Sequence, residues 1–363
     1  MLSHVGTINA VEKSALALKK YLNYEIYLIN VFGEFDYLTD NNNFTVLNIF
    51  SFRKWPKTRI WSKLVIYTFT IISFFKLLHY YRKFKPDVIL ANLVGYIPNL
   101  LKFIFPDLIV INSIQGLPKF NTARKILWNL FYIKADNIFT MTNFTKNKIL
   151  KNLKVKKNIF KVENPIITKN IKILSKEKIN DNEKFLFKGV TFCAIGRLTR
   201  QKNFIEILKA VNIIPKKLHS SFKIIIIGTG EDYEKLSNFI KLHNLENIFL
   251  LGFKKNPYPY IKNSDYFISS SLWEEPGHAI LEAGYLNKVV ISSDCPNGPK
   301  EILKDRFNSI KYKLNSHESL AIIIQNILDK KIKNNFEIKL NMKKIVKNYT
   351  MLQFSKKFNR IIN

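Results

Sequence analysis

Short runs rich in β-branched and aromatic residues alternate along the chain with longer stretches whose apolar residues recur at helical spacing. This alternation is typical of parallel sheets that helices cover on both faces. In the first half, the short apolar runs predict strands at 25–32, 45–50, 87–93, 108–114, 137–142 and 159–163. Helical spacing predicts helices at 10–22, 58–85 and 145–153.

The second half shows the same alternation more regularly. Strands are predicted at 190–195, 222–227, 247–251, 265–269, 288–292 and 308–311. Helices are predicted at 204–214, 232–242, 278–286, 298–304 and 316–329. This order predicts a second doubly wound α/β sheet.

The stretch between the two halves is rich in Lys and Asn and has no helical or strand period, which is typical of a linker. The chain is therefore predicted to contain an N-terminal domain at 1–168, a linker at 169–186 and a C-terminal domain at 187–341. Residues 342–363 have the pattern of a basic amphipathic helix, which we expect to pack back toward the N-terminal domain.

One apolar run in the first domain, residues 64–75, contains no charged residue. As a helix, its 12 residues would span about 18 Å. That is well short of a hydrocarbon core of about 30 Å, so the run cannot cross a bilayer alone. The basic residues that flank it are Lys63, Lys76, Arg82, Lys83 and Lys85. Two interpretations stay open, a helix in a membrane interface and a helix packed inside the domain.

The chain is strongly basic. It has 58 Lys and Arg residues against 27 Asp and Glu, which gives a formal net charge of +31. Such an excess attracts nucleic acid, anionic lipid or phosphorylated substrates. Only eight of the basic residues are Arg, the residue that sequence-specific nucleic-acid readers favour for bidentate contacts. We therefore expect no specific nucleic-acid partner, and a lysine-rich genome accounts for part of the excess.

Residue types that hold metal ions are scattered through the sequence. The two cysteines, Cys193 and Cys295, are far apart, and the six histidines stand alone. The sequence contains no DxD triplet. We expect no protein-held metal ion.

Candidate chemistry lies in loops that leave the carboxyl ends of predicted strands, where open α/β sheets bind ligands. The loop after the first strand of the second domain carries Gly196, Arg197 and Lys202. Two cations at one sheet edge suit a diphosphate. The alternative is an ordinary solvated loop of a lysine-rich protein.

Two later turns contain glycine. Gly228 and Gly230 follow the second strand, but the third glycine of a dinucleotide fingerprint is missing. Gly252 and Phe253 follow the third strand. Both turns would allow close approach by a flat group such as a nucleobase, and a tight turn without a ligand is the alternative.

The loop after the fourth strand combines acids with a helix start. Pro276 and Gly277 mark the entry to the helix, whose free amides form an anion site. Glu274 lies in the loop and Glu282 about one turn into the helix. Because a diphosphate would repel carboxylates, we expect these two to accept hydrogen bonds from sugar hydroxyls. A buried Glu282 bonded to backbone is the alternative.

Together these loops resemble the donor-binding half of the retaining glycosyltransferases of the large family 4 group. Glu274 and Glu282 match the family's Glu-x7-Glu pattern. Arg197 and Lys202 match its GR-L…K loop, and the ordered motifs extend over 190–303. The resemblance implies an α/β GT-B architecture, in which two Rossmann-like doubly wound domains face each other across a cleft.

The resemblance also implies roles for single residues. Arg197 and Lys202 would neutralise the departing diphosphate, and Glu274 would contact the donor sugar. These three residues are the implied catalytic residues. Glu282 would bind the nucleotide's ribose. Further donor contacts are implied for Gly196, Gly228, Gly230, Gly252, Phe253, Pro276, Gly277, His278 and Ala279.

In the first domain, family members begin with a strand that ends in a glycine-rich turn. Here only four residues precede Val5, Gly6 and Thr7, so the strand is very short or the chain starts upstream. Gln115 stands where many members carry a histidine that contacts the donor sugar. Glutamine can hydrogen-bond a hydroxyl but cannot carry a proton. The donor preference of histidine-bearing relatives therefore does not transfer.

The function that the resemblance implies is a metal-independent, retaining hexosyltransferase of class EC 2.4. It would move a sugar from a nucleotide-sugar donor to a saccharide or lipid-linked saccharide acceptor in surface polysaccharide or lipopolysaccharide biosynthesis. The nucleotide sugar is a substrate, and no cofactor is expected. Glu12 and Lys13 interrupt the N-terminal region, so we expect no signal peptide. The expected location is the cytoplasm, with peripheral binding to the anionic inner face of the membrane.

Two other classes stay open at this point. One is a different sugar–nucleotide enzyme of the same fold, such as an epimerase or a phosphorylase. The other is a catalytically weak, basic membrane- or nucleic-acid-binding protein on a GT-B scaffold. Retention of Glu274, Glu282, Arg197 and Lys202 favours the transferase over both.

Overall fold

A computed structural model describes residues 6–31, 35, 38, 43–50, 61–92, 95–154, 158–332 and 335–363 of the chain. The described residues form two compact units. The first comprises Met1–Pro165 together with Met351–Asn363, and the second comprises Ile166–Thr350. No helix in these ranges is long and apolar enough to span a membrane.

The first unit is built on parallel strands. Its strands are β1 (Tyr27–Asn30), β2 (Thr45–Asn48), β3 (Val88–Ala91), β4 (Ile109–Ile114), β5 (Asn137–Thr140) and β6 (Ile159–Lys161). The pair β1–β2 and the sheet β3–β4–β5–β6 are both parallel. The helices are α1 (Gly6–Leu22), α2 (Trp61–Phe84), α3 (Tyr96–Leu101), α4 (Thr122–Phe131), α5 (Asn143–Asn152) and α14 (Met351–Ile362). Each strand predicted for this half is present with narrower bounds.

The second unit carries one six-stranded parallel sheet in the order β12–β11–β10–β7–β8–β9. Its strands are β7 (Val190–Ile195), β8 (Phe222–Ile227), β9 (Ile248–Leu250), β10 (Tyr266–Ser269), β11 (Val289–Ser293) and β12 (Ile310–Tyr312). Its helices are α6 (Lys169–Leu174), α7 (Ile205–Ile213), α8 (Tyr233–Leu242), α9 (Tyr258–Asn263), α10 (His278–Tyr285), α11 (Gly298–Ile302), α12 (His317–Leu328) and α13 (Phe336–Val346). These two parallel-sheet units confirm the predicted α/β class with Rossmann-like domains.

Strand β8 shows why the sheet is doubly wound. Successive side chains of a strand point to opposite faces, and Ile224 and Ile226 join one buried cluster while Ile225 and Ile227 join the other. A strand buried on both faces has no alternation of polar residues. The unbroken isoleucine run is therefore the sequence pattern of a central strand.

The predicted linker at 169–186 belongs to the second unit. It contains α6 and a 3-10 helix at Asp181–Phe187, and Ile171 and Leu186 are buried. The Lys254 ammonium pairs with Glu183 at 2.6 Å and fixes the 3-10 helix to the unit. This corrects the linker prediction, because two isolated apolar residues anchor a segment that shows no period.

The predicted helix at 342–363 is also divided. It covers the end of α13, in the second unit, and α14, in the first. Within the first unit, the Ser355 hydroxyl donates to the Ala17 carbonyl of α1 at 3.0 Å, and Lys357 pairs with Glu163. A 3-10 turn at Lys347–Tyr349 separates the two helices. The structure thus has two helices where the sequence predicted one.

Four short helices escaped the sequence prediction. Three of them, α3, α6 and α9, have six residues each, too few to show a helical period. The fourth, α4, buries only Trp128, while Ile126, Leu127 and Leu130 are exposed. The predicted strand before Gly6 falls on residues 1–5, which lie outside the described residues.

Candidate functional site

The predicted loops of the second unit meet at the carboxyl edge of its sheet. Gly196 follows β7 and donates its amide hydrogen to the Ile227 carbonyl at 3.0 Å. A Cβ at Gly196 would lie 2.9 Å from Cε of Lys202. The absence of a side chain at Gly196 therefore makes room for the stem of Lys202.

Lys202 and Glu274 form an ion pair at this edge. The carboxylate is only 7% exposed and also accepts a hydrogen bond from the Ser271 hydroxyl at 2.7 Å. Breaking a buried pair by removing one partner leaves an uncompensated charge. The ammonium and the carboxylate are thus held in fixed positions, and Ser271 is a partner that the sequence did not reveal.

The two loops that carry this pair are also joined through their backbones. The Leu272 amide donates to the Gln201 carbonyl at 2.8 Å, and the Gln201 side chain donates to the Trp273 carbonyl at 2.9 Å. Arg197 lies on the same loop as Lys202 and is exposed. Among the described residues it has no ion-pair partner, so its guanidinium is available to a ligand.

Gly228 and Gly230 have a structural reason to be glycine. A Cβ at Gly228 would lie 1.9 Å from the Gly196 carbonyl oxygen, and one at Gly230 would lie 2.2 Å from the Leu198 oxygen. The space beside both glycines is thus filled by the loop that follows β7. Their predicted approach to a nucleobase stays a prediction.

The turn at Gly252 is different. Its φ is +67°, and a Cβ built there would meet no atom within 4 Å. The neighbouring Phe253 ring is 55% exposed. The side of this turn toward which a Cβ would point is therefore open.

Helix α10 begins at the same edge. Gly277 precedes it with a φ of +102°, a region that favours glycine. The first amides of a helix lack intrahelical acceptors, and its N-terminal end carries partial positive charge. Pro276 lies just before this first turn, and His278 and Ala279 belong to it.

The start of α11 packs tightly against the same loop. A Cβ at Gly298 would lie 2.5 Å from the Pro276 backbone.

Glu282 projects from α10 and accepts a hydrogen bond from the Tyr258 hydroxyl at 3.0 Å. Burial, followed by the charge of Glu282, raises the pKa of the Tyr258 phenol well above its usual range. The hydroxyl therefore keeps its proton and holds one carboxylate oxygen in place. Tyr258, at the start of α9, is thus a side-chain partner of Glu282 that the sequence did not single out.

Asn297 is a second residue that the sequence did not single out. It is buried beside Glu274, with which it forms a parallel backbone bridge. Neither polar atom of its amide has a hydrogen-bond partner among the described residues. A buried, unpaired amide is costly, and it leaves hydrogen-bonding capacity in the loop that is bridged to Glu274.

Cys193 and Cys295 are both buried, and burial raises the pKa of each thiol to about 12. They are protonated at neutral pH and belong to the packed interior. Within the part of the chain that the structure describes, no three His, Cys, Asp or Glu residues are grouped to hold a metal ion.

In the first unit, Gly6 is the first residue of α1 and is exposed, and Thr7 follows it. Gln115 follows β4 and is bonded within a polar network. Its amide donates to Ser113 Oγ at 2.7 Å and to Asn92 Oδ1 at 3.0 Å, and its carbonyl accepts from Asn164 at 2.8 Å. The role predicted for these three residues, contact with a donor, stays a prediction.

Residues 175–348 match the family described as Glycosyl transferases group 1. An uncharacterized glycosyltransferase of Methanocaldococcus jannaschii is 35% identical over 254 residues, which are 64% of this chain and 62% of that relative. The chain thus spans less than two thirds of that relative's length.

Two further proteins are informative. The Campylobacter jejuni relative named N-acetylgalactosamine-N,N'-diacetylbacillosaminyl-diphospho-undecaprenol 4-alpha-N-acetylgalactosaminyltransferase is 28% identical over 185 residues, 50% of this chain and 48% of its own. The structure of Anabaena HepE in complex with UDP superimposes with a TM-score of 0.75 at 16% identity, covering 99% of this chain and 96% of that one. At that identity the likeness shows the fold alone, which is the GT-B fold predicted from the sequence.

Proposed function

We propose that this chain, which belongs to the group 1 glycosyltransferases, transfers a sugar from a nucleotide-sugar donor to a saccharide acceptor in surface polysaccharide biosynthesis. The observation that carries the proposal is one sheet edge of the second unit. It brings together the Lys202–Glu274 pair, the exposed Arg197, the start of α10 and the Tyr258–Glu282 pair. Membership of family 4 stays a prediction. No comparison supports the alternative of a catalytically weak, basic membrane- or nucleic-acid-binding protein.

The donor site proposed at this edge has a simple electrostatic logic. Cleavage of the sugar–phosphate bond develops negative charge on the diphosphate, and fixed cations placed there lower the barrier. Arg197 and Lys202 lie on one loop beside the positive end of α10. Glu282, held by Tyr258, is assigned to the ribose hydroxyls. UDP in the HepE structure supports a nucleoside diphosphate as the ligand class.

Glu274 is assigned to a hydroxyl of the donor sugar. Because Lys202 and Ser271 already bind it, its carboxylate is oriented as a hydrogen-bond acceptor. We propose retention of configuration, with the acceptor hydroxyl attacking from the face that the diphosphate leaves. The leaving phosphate oxygen then accepts the proton of the acceptor, and no protein nucleophile is required.

The test is product analysis with UDP-glucose, UDP-galactose, UDP-N-acetylglucosamine and GDP-mannose. Enzymes of this kind are expected to hydrolyse a bound donor slowly without an acceptor, so released nucleoside diphosphate reports turnover. Proton NMR of the sugar first released should show the α anomer from an α-linked donor. A β anomer would contradict retention, and no release from any donor by the folded protein would contradict the transferase.

Tyr258→Phe should raise the KM for the nucleotide sugar about tenfold and leave kcat within twofold of the parent. The loss of one hydrogen bond to a charged group, roughly 1.5 kcal/mol at the low end, frees Glu282 to rotate without removing it. Steady-state hydrolysis kinetics measure both constants. Tyr233→Phe, an exposed tyrosine on α8, is the matched control. A fall in kcat as large as the expected rise in KM would assign Tyr258 to the chemical step instead.

EDTA should leave the rate of donor turnover within twofold of the untreated enzyme. The proposal assigns neutralisation of the diphosphate to Arg197 and Lys202, so no divalent ion is needed for the leaving group. The measurement compares initial rates with excess EDTA and with added Mg²⁺ or Mn²⁺. Loss of activity that Mn²⁺ restores would overturn the metal-independent mechanism.

We also propose that the first unit binds the cytoplasmic face of an anionic membrane, where a lipid-linked acceptor is presented. The name of the Campylobacter relative includes such an acceptor. The described side chains of α2 have two faces: Phe74 and Leu77 pack into the unit, whereas Ile71 and Phe75 are 59% and 62% exposed. An exposed apolar helix face in a basic protein fits binding at a lipid interface.

Ile71→Glu combined with Phe75→Glu should lower the fraction sedimenting with phosphatidylglycerol vesicles at least tenfold at physiological salt. Both side chains are exposed, so the unit should still fold. Leu242→Glu, an equally exposed leucine in the second unit, should sediment like the parent, and neutral phosphatidylcholine vesicles should retain little protein. Failure of the parent to bind anionic vesicles would refute membrane docking.

A further inference from the structure

The first unit contains an open cavity of about 330 Å³ at the carboxyl ends of β3 and β4. Ligand sites in proteins commonly have volumes of roughly 300–1,000 Å³. Aromatic side chains form part of the lining, and polar side chains that follow the two strands form another part. All of its lining residues belong to the first unit.

The aromatic part consists of Tyr96, Trp128 and Tyr132. Trp128 and Tyr132 stack at 4.3 Å between ring centroids with an interplanar angle of 3°, and Tyr96 meets Tyr132 edge-on at 5.6 Å. Trp128 is only 7% exposed, and its indole N–H has no hydrogen-bond partner among the described residues. Buried indoles usually find a partner. Since Trp128 and Tyr132 are 7% and 4% exposed, they form a rigid, largely buried apolar wall of the cavity.

The polar part is rigid. Gln115, Asn92 and Ser113 line the cavity and are joined to one another by hydrogen bonds of 2.7 and 3.0 Å. Asn164 fixes the other end of the Gln115 amide at 2.8 Å. Amides and hydroxyls in a fixed arrangement beside an aromatic wall suit a pyranose ring, which has apolar faces and hydroxyl edges.

The charged side chain that lines the cavity is basic. Arg124 lines it, and one guanidinium nitrogen donates to the Lys119 carbonyl at 2.8 Å, which leaves further N–H groups of the guanidinium. The lining residues found within the described ranges include no acidic side chain. Between Asp107 and Asp136 the sequence holds four basic residues and no acidic one. The cavity therefore favours a ligand that carries negative charge.

We propose that this cavity binds a sugar unit that bears an anionic group, a phosphate or a carboxylate. The pyranose lies against the Trp128–Tyr132 wall, and the anion pairs with the Arg124 guanidinium, whose planar fork matches both groups. The inference rests on the proposed function in one respect, since it makes this sugar part of the acceptor. The class of acceptor is then an acidic or phosphate-linked saccharide.

The test is titration of the full chain with glucose 1-phosphate, glucuronic acid, glucose and inorganic phosphate, followed by saturation-transfer NMR. At least one of the two anionic sugars should bind tenfold more tightly than glucose, and the tighter of the two identifies the anion. Arg124→Gln should remove this preference. Lys125→Gln, its neighbour outside the cavity lining, should not. Trp128→Phe keeps a ring but makes the aromatic wall smaller, and it should weaken the binding of each sugar about threefold.

Equal affinity for glucose and the anionic sugars would overturn the proposal, as would a preference that survives Arg124→Gln. Binding that is lost in Lys202→Ala but kept in Arg124→Gln would place the sugar in the second unit and also overturn it. UDP titration separates the two hypotheses. Arg124-dependent sugar binding in a chain that binds no nucleotide would contradict the proposed function and leave the cavity assignment intact.

Discussion

Lys202→Ala is expected to lower donor turnover about 100-fold. Removal of one preorganised charge from a developing anion typically costs a factor of about 10²–10³ in kcat, and Lys202 is one of two cations on the loop after β7. Its pairing with Glu274 fixes the ammonium before the donor arrives. Released nucleoside diphosphate gives the rate, and thermal unfolding shows whether the variant is folded.

The same substitution leaves Glu274 buried without its partner, so a loss of stability is expected beside the loss of turnover. Adding Glu274→Gln to Lys202→Ala neutralises that charge and should recover most of the stability without recovering turnover. Lys217→Ala, at the opposite end of the sheet between α7 and β8, should behave like the parent. If the double variant recovered turnover together with stability, the role of Lys202 would be structural and not catalytic.

Gly228→Ala is expected to destabilise the second unit by at least about 3 kcal/mol, in the upper range for single substitutions. The added Cβ would lie 1.9 Å from the Gly196 carbonyl oxygen, a backbone atom that cannot rotate away. The φ of +143° is also strained for a residue with a side chain. Urea unfolding measures the change.

Gly252→Ala provides the matched comparison. Its φ of +67° costs alanine about 1–2 kcal/mol, and no atom lies within 4 Å of the added Cβ. We therefore expect Gly252→Ala to be clearly less destabilising than Gly228→Ala. Equal effects would show that backbone conformation, and not contact between the two loops, makes glycine necessary at 228.

The sequence predicted the sheet of the second unit well because its central strands are buried on both faces. A run such as Phe222–Ile227 has few other structures open to it. The short helices α3 and α9 were not predicted, because six residues show no period and tertiary contacts hold them in place. Helix α4 was also not predicted, although it has ten residues, and most of its apolar side chains are exposed.

For the site, the sequence predicted which loops lie at the sheet edge but not which side chains pair. Lys202 and Glu274 were assigned to different parts of a ligand, and the structure joins them in one ion pair across 72 positions of sequence. Tyr258 and Ser271 carry no motif of their own, since their partners are set by packing of the loops. Likewise, the near contact of Gly228 with Gly196 depends on two strands lying side by side.

The central claim is that the second unit holds a nucleotide-sugar site at the carboxyl edge of its sheet. Calorimetric titration with UDP and the four nucleotide sugars tests this claim most directly, because donor binding needs no acceptor. The account predicts that the parent binds at least one nucleotide sugar, that Lys202→Ala and Glu282→Gln each weaken that binding at least tenfold, and that Lys217→Ala leaves it unchanged. Tight nucleotide binding that is insensitive to both substitutions, or no binding by the folded parent, would contradict it.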